Sequence, residues 1–214
     1  YNGKVVRLRW ADGSDSDWIK AASLQKASPS QLSPQQARQQ ARDQAVAKTM
    51  QSIRSIEKDM GVNYPALKKI RTELISLTAN QNLFPAEDFP LDPTGGDVVY
   101  RLSEDNDHRF ALYGSVGSEG KSVSPHNHST WAVIVGVYGD EVNQFYQCTS
   151  GGKEPGPATL EQSGSFTVHH GNGVVFMPDD IHAIQTDDDV PTLHLHAYGL
   201  ALDQLSDRLM FDTA

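Results

Sequence analysis

From about Val98 onward, the chain is made of short β-branched and aromatic runs separated by Gly, Pro, Asn and Asp. Turn residues at these intervals are typical of an all-β sandwich or barrel. The pattern predicts strands near residues 98–102, 109–116, 122–126, 130–138, 143–148, 165–169, 173–177, 181–186 and 191–198. We therefore predict a β-barrel domain over residues 98–214, with a closing helix or tail at its C-terminal end.

The region before the barrel is predicted to be helical over residues 31–97 and to pack on the barrel. Ser33 as N-cap and Pro34 at the first helical position predict a helix start, and Gly61 predicts its end. The expected buried stripe is Ala41, Ala45, Ile53, Ile56 and Met60. A second helix should follow Tyr64-Pro65, with Leu67, Ile70, Leu74 and Leu77 on one side.

Residues 1–30 are predicted to be an appendage. Alternating residues up to Trp10 and the turn signal Asp12-Gly13 predict a hairpin within residues 1–20, and a segment rich in Ser and Gln after residue 22 predicts a linker. The two helices carry only amphipathic spacing, so we interpret them as scaffold.

The overall composition excludes several function classes. The 214 residues include 18 basic and 27 acidic ones, for a net charge of −9, and no basic cluster suited to nucleic acid is visible. The longest apolar run, Trp131 to Val137, is far shorter than the roughly 20 residues that span a bilayer. Because the N-terminus also lacks a signal-peptide pattern, we expect a soluble, cytoplasmic protein without a membrane or nucleic-acid partner.

Histidines in the β region form a candidate metal site. A single residue separates His126 from His128, and on a strand this spacing points both side chains to one face. His182 follows a Pro-Asp-Asp turn at the start of another predicted strand and is the third candidate ligand. The single cysteine, Cys148, excludes a thiolate zinc cage. Three protein ligands with open positions are what a catalytic metal requires.

These residues resemble the two motifs of the cupin superfamily. Gly120 followed by His126-x-His128 is similar to the first motif, and Gly173 followed by Pro178-x-Asp180-x-His182 to the second, which is one residue shorter than usual. The resemblance covers roughly residues 98–200 and implies a double-stranded β-helix, or jelly-roll barrel. Most cupins add a Glu ligand, but residues 129–139 contain no acid, so the site resembles three histidines without a carboxylate.

Within the superfamily, this pattern is similar to that of the thiol dioxygenases, of which cysteine dioxygenase is one. The resemblance implies Fe(II) as cofactor, with a small thiol and O2 as partners. The family's late strand carries a proton relay, which here corresponds to either Thr192, His194 and His196 or His194, His196 and Tyr198. We favour His196 and Tyr198 as the pair near the iron.

Further features distinguish the bacterial members of this family. Mammalian-type enzymes cross-link the relay Tyr to a Cys whose position here is Val133. The chain thus resembles bacterial members that lack the cross-link, which include enzymes for mercaptocarboxylates such as 3-mercaptopropionate. The resemblance also implies an Arg that holds the substrate carboxylate, either Arg101 or Arg208, and Trp131 is expected to exclude water from the substrate.

Other interpretations of these residues remain open at the sequence level. Arg101 could equally be a structural ion-pair partner. The three histidines could hold Zn, Ni or Mn in a non-redox cupin, either a binding module or an isomerase, because imidazole suits all these metals. A β domain that only supports the N-terminal helices is a third interpretation. The sequence leaves the thiol and the oligomeric state undetermined.

Overall fold

Ten strands and two helices form the regular structure of the residues described by the computed structural model, which are 7–10, 32–94, 97–118, 120–152, 154–186 and 191–212. The strands are β1 (Arg7–Trp10), β2 (Val98–Ser103), β3 (Arg109–Gly117), β4 (Ser122–His126), β5 (Ala132–Tyr138), β6 (Glu141–Ser150), β7 (Thr159–Val168), β8 (Gly173–Phe176), β9 (Ile181–Thr186) and β10 (Thr192–Leu200). The helices are α1 (Pro34–Met60) and α2 (Tyr64–Thr78).

Two sheets face each other across the β domain. The larger has the order β1-β2-β3-β10-β5-β8 and the smaller β4-β9-β6-β7. All pairs are antiparallel except β1 with β2. From β3 to β10 the chain crosses between the sheets so that sequential neighbours other than β6 and β7 lie in different sheets. This strand order confirms the predicted mainly β fold, a double-stranded β-helix preceded by two helices.

The predicted hairpin of residues 1–20 lies mostly outside the described residues, as does the linker that follows it. Its one described segment, β1, adds to the edge of the larger sheet by pairing in parallel with β2, where Arg7 lies opposite Val98.

The first helix begins at Pro34 as predicted, whereas the second begins at Tyr64 itself and not after Tyr64-Pro65. At α1, the Ser33 hydroxyl accepts a hydrogen bond from the backbone N–H of Gln36, and the Gln36 side chain accepts one from the backbone N–H of Ser33. Gly61 ends this helix with a φ of 69°. At α2, the Asn63 side chain accepts from the backbone N–H of Ala66. These bonds satisfy backbone donors that a helix start leaves without partners.

The buried stripe of α1 differs from the prediction. The buried residues are Arg42, Val46, Thr49, Met50 and Ile53, so only Ile53 of the five predicted positions is fully buried. Arg42 is buried because its guanidinium donates to Asp88 Oδ2 at 2.8 Å and to the Leu83 carbonyl at 2.9 Å. An ion pair therefore occupies a place on the buried side of the helix, next to the predicted stripe, that apolar periodicity does not reveal. On α2 the predicted residues Leu67, Ile70, Leu74 and Leu77 are all buried.

The core has two parts that lie on either side of the larger sheet. One packs α1 and α2 against its outer face and includes Leu67, Leu74, Val133 and Leu195. The other fills the space between the sheets and includes Ile134, Phe176 and Tyr198. Strands β5 and β10 are buried on both faces, which positions the side chains of alternate residues in the barrel interior. No described helix is both long and apolar enough to cross a bilayer.

Replacement of Ser33 by alanine is expected to lower the free energy of unfolding by about 1 kcal/mol, because the N-cap acceptor of α1 is lost. Urea-induced unfolding measured by circular dichroism would show this as a lower midpoint. Ser33→Asp keeps a side-chain acceptor and should unfold close to the original midpoint. Equal losses in both variants would contradict a capping role.

Candidate metal centre

Three buried histidines meet inside the barrel. His126 ends β4, His128 follows two residues later, and His182 lies on β9 directly opposite His126. One nitrogen from each ring lies within 4.8 Å of those of the other two rings. Each residue is at most 2% exposed. The structure thus brings together the three side chains that the sequence predicts as ligands.

A bulge in β4 helps to position this group. Between Val123 and His126 the register against β9 shifts, so Ser124 and Pro125 take up the extra residue. Proline lacks the N–H that a ladder needs and is tolerated at such irregular positions. The strand ends at His126, yet His128 also points inward, so the shared orientation arises at the strand end rather than along a regular strand.

One pair of ring nitrogens already has the spacing that a bound metal ion requires. His128 Nε2 and His182 Nε2 are 3.2 Å apart. Two nitrogens bound to one ion at about 2.0–2.1 Å, with angles from 90° to tetrahedral, lie roughly 2.9–3.4 Å apart. Within the residues that the structure describes, no Asp or Glu belongs to this group. The three histidines could therefore hold a metal through neutral ligands alone.

Hydrogen bonds determine which nitrogen of the His126 and His182 rings faces the point where the three histidines meet, called the centre below. His126 Nδ1 lies 2.8 Å from the carbonyl oxygen of Ser124, and His182 Nδ1 lies 2.8 Å from Asn143 Oδ1. Both partners are acceptors, so each Nδ1 carries the proton and each Nε2 keeps its lone pair. Such bonds orient ligating imidazoles. His128 Nδ1 is buried without a partner among the described residues.

The electrostatic environment keeps these rings neutral. Burial lowers the pKa of His126 to about 3, and the nearby charge of Arg208 acts in the same direction. Burial also lowers the pKa of His128 and His182 well below the ordinary value. At neutral pH the three imidazoles are therefore unprotonated and able to bind a metal without first losing a proton.

The stability of the metal-free protein is expected to fall as pH decreases from about 6.5. In the unfolded chain these histidines bind protons near pH 6.5, whereas in the folded chain they bind them only at lower pH, His126 at about 3. The unfolded state then holds more protons, and each such group lowers the free energy of unfolding by up to about 1.4 kcal/mol per pH unit. Urea unfolding at pH 7.5, 6.5 and 5.5 measures this slope.

A matched variant assigns part of this slope to one ring. His126→Gln removes one proton-binding group and should make the decrease between pH 6.5 and 5.5 shallower by up to about 1.4 kcal/mol per pH unit. An unchanged slope in the variant would show that His126 is already protonated in the folded protein.

Tyr198 and His196 lie beside the three histidines. Tyr198 Oη is 3.1 Å from His196 Nδ1, and the Tyr198 ring centroid is 5.4 Å from that of His128. Both residues point inward from β10 and are buried. Burial lowers the pKa of His196 to about 3 and raises that of the Tyr198 hydroxyl well above its ordinary value. The phenol therefore holds its proton next to the centre.

His194 is farther along the same inward face of β10. Its Nε2 lies 3.2 Å from the carbonyl oxygen of Val168, which accepts the proton of that nitrogen. Of the two relay registers that the sequence leaves open, the one ending in His196 and Tyr198 brings a tyrosine ring near His128, with its hydroxyl bonded to His196.

Arg208 lies on the C-terminal segment, and its charge acts on the three histidines. This segment, residues 205–212, pairs with the free edge of β4: Asn127 N–H donates to the Leu209 carbonyl at 3.1 Å, and Phe211 N–H donates to the Pro125 carbonyl at 2.8 Å. The positive charge of Arg208 lowers the pKa of all three centre histidines. Its Nε atom is buried with no partner among the described residues.

The other candidate anchor, Arg101, is engaged elsewhere. Its guanidinium lies 2.7 Å from Glu104 Oε2 and 3.5 Å from Asp203 Oδ2. It also lies 6.0 Å from the ring centroid of Tyr113. These contacts agree with the structural ion-pair interpretation of Arg101.

Trp131 does not lie at the centre, which corrects its predicted role. Its indole N–H donates to Glu57 Oε2 of α1 at 2.7 Å, and its ring packs near Phe110. Strand alternation points Ala132 and Ile134 to the barrel interior and therefore turns Trp131 toward the helices. The apolar wall of the centre is instead Phe176, whose ring centroid is 4.1 Å from that of His182.

Sequence reasoning missed a set of buried polar residues behind the histidines. Glu141 and Asn143 point inward from β6 and are 1% and 0% exposed. Lys121 is also buried, and its Nζ donates to Ser115 Oγ at 2.8 Å. Burial raises the pKa of Glu141, but the electrostatic effects of neighbouring His194, His196 and Lys121 outweigh it, so the pKa lies below its ordinary value and the carboxylate is ionised at neutral pH. The alternation Glu141-x-Asn143 on a strand is the signal that could have indicated this.

No protein-family model matches the chain, and no curated protein matches it. Among solved structures, a protein with a double-stranded β-helix domain from Klebsiella pneumoniae is 10% identical, with a TM-score of 0.40 over 61% of this chain and 91% of that one. A cupin superfamily protein from Desulfitobacterium hafniense is 13% identical, with a TM-score of 0.40 over 56% of this chain and 87% of that one. A hydroquinone 1,2-dioxygenase is 8% identical, with a TM-score of 0.38 over 49% of this chain and 64% of that one.

Proposed function

We propose that this protein is an Fe(II)-dependent thiol dioxygenase that acts on a small thiol carboxylate, such as cysteine or 3-mercaptopropionate. The reaction joins one thiol and one O2 to give a sulfinate and a proton, so sulfur loses the four electrons that dioxygen gains. When bound, Fe(II) supplies the redox chemistry that adds both oxygen atoms to the sulfur.

The observation that carries this proposal is a carboxylate-free group of three buried histidines whose pKa values are lowered by the positive charge of the partly buried Arg208. Three neutral imidazoles leave the charge of a divalent ion uncompensated by the protein, which favours an anionic thiolate as the partner. Arg208 adds a second positive charge at the same place. A small molecule that carries both a thiolate and a carboxylate matches these two charges.

The side chains around the centre have separate roles in this proposal. Arg208 binds the substrate carboxylate, and its planar guanidinium can form two parallel hydrogen bonds to the two oxygens. Phe176 covers one side of the ligand His182 and excludes water. Tyr198 holds its proton beside His128 and can donate a hydrogen bond within the site.

The proposal is tested by loading the metal-free protein with Fe(II) under anaerobic conditions. Oxygen uptake and sulfinate formation are then measured with cysteine, 3-mercaptopropionate, mercaptosuccinate and cysteamine in parallel. We expect one mole of sulfinate per mole of O2 with at least one thiol carboxylate. A folded protein with one iron per chain that consumes no oxygen with any of these thiols would contradict the proposal and favour a non-redox metal-binding protein.

A further inference from the structure

The buried carboxylate of Glu141 is linked to the candidate ligand His182 through Asn143. It also lies near His196, which contacts the Tyr198 hydroxyl. Glu141 Oε1 accepts a hydrogen bond from Asn143 Nδ2 at 3.1 Å, while Oε2 lies 3.9 Å from His196 Nε2 and 3.9 Å from His194 Nδ1. Both of these ring nitrogens are buried and have no hydrogen-bond partner among the described residues. The Glu141 carboxylate therefore faces two buried ring nitrogens that have no other polar partner within hydrogen-bond distance among the described residues.

Glu141 determines the proton position on His182. An ionised carboxylate only accepts hydrogen bonds, so Asn143 must turn its amide Nδ2 toward Glu141. Its Oδ1 then faces His182 Nδ1 at 2.8 Å and accepts the proton of that nitrogen. This leaves His182 Nε2 with a lone pair toward His128.

The same carboxylate also determines which ring nitrogen of His196 carries the proton. The ring is neutral, so only one of its nitrogens carries a proton. A carboxylate facing Nε2 favours the proton on that atom, and Nδ1 becomes an acceptor for the Tyr198 hydroxyl at 3.1 Å. Tyr198 then donates its O–H to His196 and not the reverse.

We propose that Glu141 is a positioning residue that sets the protons of both His196 and His182, so that Tyr198 is a donor to His196 and His182 presents a lone pair to the centre. The use of this network in catalysis rests on the proposed function, whereas the proton positions follow from the contacts alone. Lys121 supplies a compensating positive charge near Glu141 from a buried position on the neighbouring loop.

The variant Glu141→Gln should change the proton position on His196 and leave the proton position on His182 unchanged. Asn143 Nδ2 still requires an acceptor, so it holds the Gln oxygen, and the Gln NH2 group is left to face His196. A donor in that place moves the proton of His196 from Nε2 to Nδ1. The oxygen that faces Asn143 is unchanged, so His182 should keep its proton on Nδ1.

The test is nitrogen NMR of the metal-free protein labelled with 15N-histidine, in which the two ring nitrogens report directly which of them carries the proton. We expect His196 as the Nε2–H form in the original protein and as the Nδ1–H form in Glu141→Gln. His194 is an internal reference, because the Val168 carbonyl holds its Nε2–H in both proteins. His196 found as the Nδ1–H form in the original protein overturns the proposal without any variant.

Two further measurements distinguish a positioning role of Glu141 from a role in stability, and test whether this positioning matters for the proposed reaction. Asp88→Asn removes another buried carboxylate, on the helical side of the barrel, and should lower stability without changing the His196 proton position. Under the proposed function, Glu141→Gln should lower kcat by about 10²-fold, the lower end of what positioned proton transfer contributes, because Tyr198 Oη then accepts the His196 proton and can no longer pass a proton to that ring. A changed His196 with unchanged kcat would overturn the catalytic use, and an unchanged His196 in the folded variant would overturn the positioning itself.

Discussion

Replacement of His126 by alanine is expected to abolish stoichiometric metal binding and with it all oxygen uptake. His126 is one of three ligands that meet within 4.8 Å, and no described Asp or Glu could replace it. Changes to residues that only orient a ligand already cost about 10–100-fold in metal affinity, so loss of a ligand should cost at least about 100-fold. Titration with Co(II) against a competing chelator measures the affinity.

The exposed ring of His169 provides the matched control for this variant. His169 lies on the surface next to β7, outside the three-histidine group, so His169→Ala should bind Co(II) as tightly as the original protein. Metal bound at one per chain with unchanged affinity in His126→Ala would show that the centre is held elsewhere.

Replacement of Arg208 by glutamine should reduce kcat/KM for 3-mercaptopropionate by about 10–100-fold. A hydrogen bond to a charged partner contributes about 1.5–3 kcal/mol, and about 1.4 kcal/mol corresponds to a factor of ten. The loss should appear mainly in KM. Cysteamine has no carboxylate, so any activity toward it should be nearly unaffected. Arg208→Lys keeps the charge without the planar fork and should recover part of the loss.

The same assay on Arg101→Gln distinguishes the two candidate anchors. Arg101 is ion-paired to Glu104 and Asp203, so its replacement should affect carboxylate and amine thiols equally. A carboxylate-specific loss in Arg101→Gln, together with none in Arg208→Gln, would identify Arg101 as the anchor instead.

The start of α1 could be predicted to the residue because helix caps are local. The side chains of Ser33 and Gln36 each accept a hydrogen bond from the other residue's backbone N–H, so four consecutive residues contain the whole capping interaction. The buried stripe could not be predicted in the same way. Arg42 is buried through a contact with Asp88, which is 46 residues away, and apolar periodicity does not show such a partner.

The predicted strand 165–169 corresponds to β7, which already begins at Thr159. Its first residues alternate little in hydrophobicity because β7 is an exposed edge strand that pairs only with β6. The backbone ladder defines such a strand, and side-chain patterns do not reveal it. Central strands present the opposite difficulty. Because β5 is apolar on both faces, the sequence could not indicate that Trp131 points to the helices.

The three candidate ligands were predictable because a single residue separates His126 from His128 and His182 follows a turn that marks the strand start. The buried polar residues Glu141 and Asn143, which lie behind these histidines, were not predicted. Glu141 on the smaller sheet faces His194 and His196 on the larger one, and only the closure of the barrel brings them together. In the sequence alone, the short polar stretch at the start of β6 has the composition of a solvent-exposed hairpin.

Under the proposed function, in which Arg208 binds the substrate carboxylate, the pairing of residues 205–212 with β4 links the order of this segment to the occupancy of the centre. An anion bound to Arg208 stabilises the paired segment by the same free energy by which the paired segment strengthens anion binding. The backbone amides of Leu209 and Phe211, which donate to Asn127 and Pro125, then exchange with solvent more slowly when the centre is filled. Two amide hydrogens at the barrel edge thereby report on ligand binding in its interior.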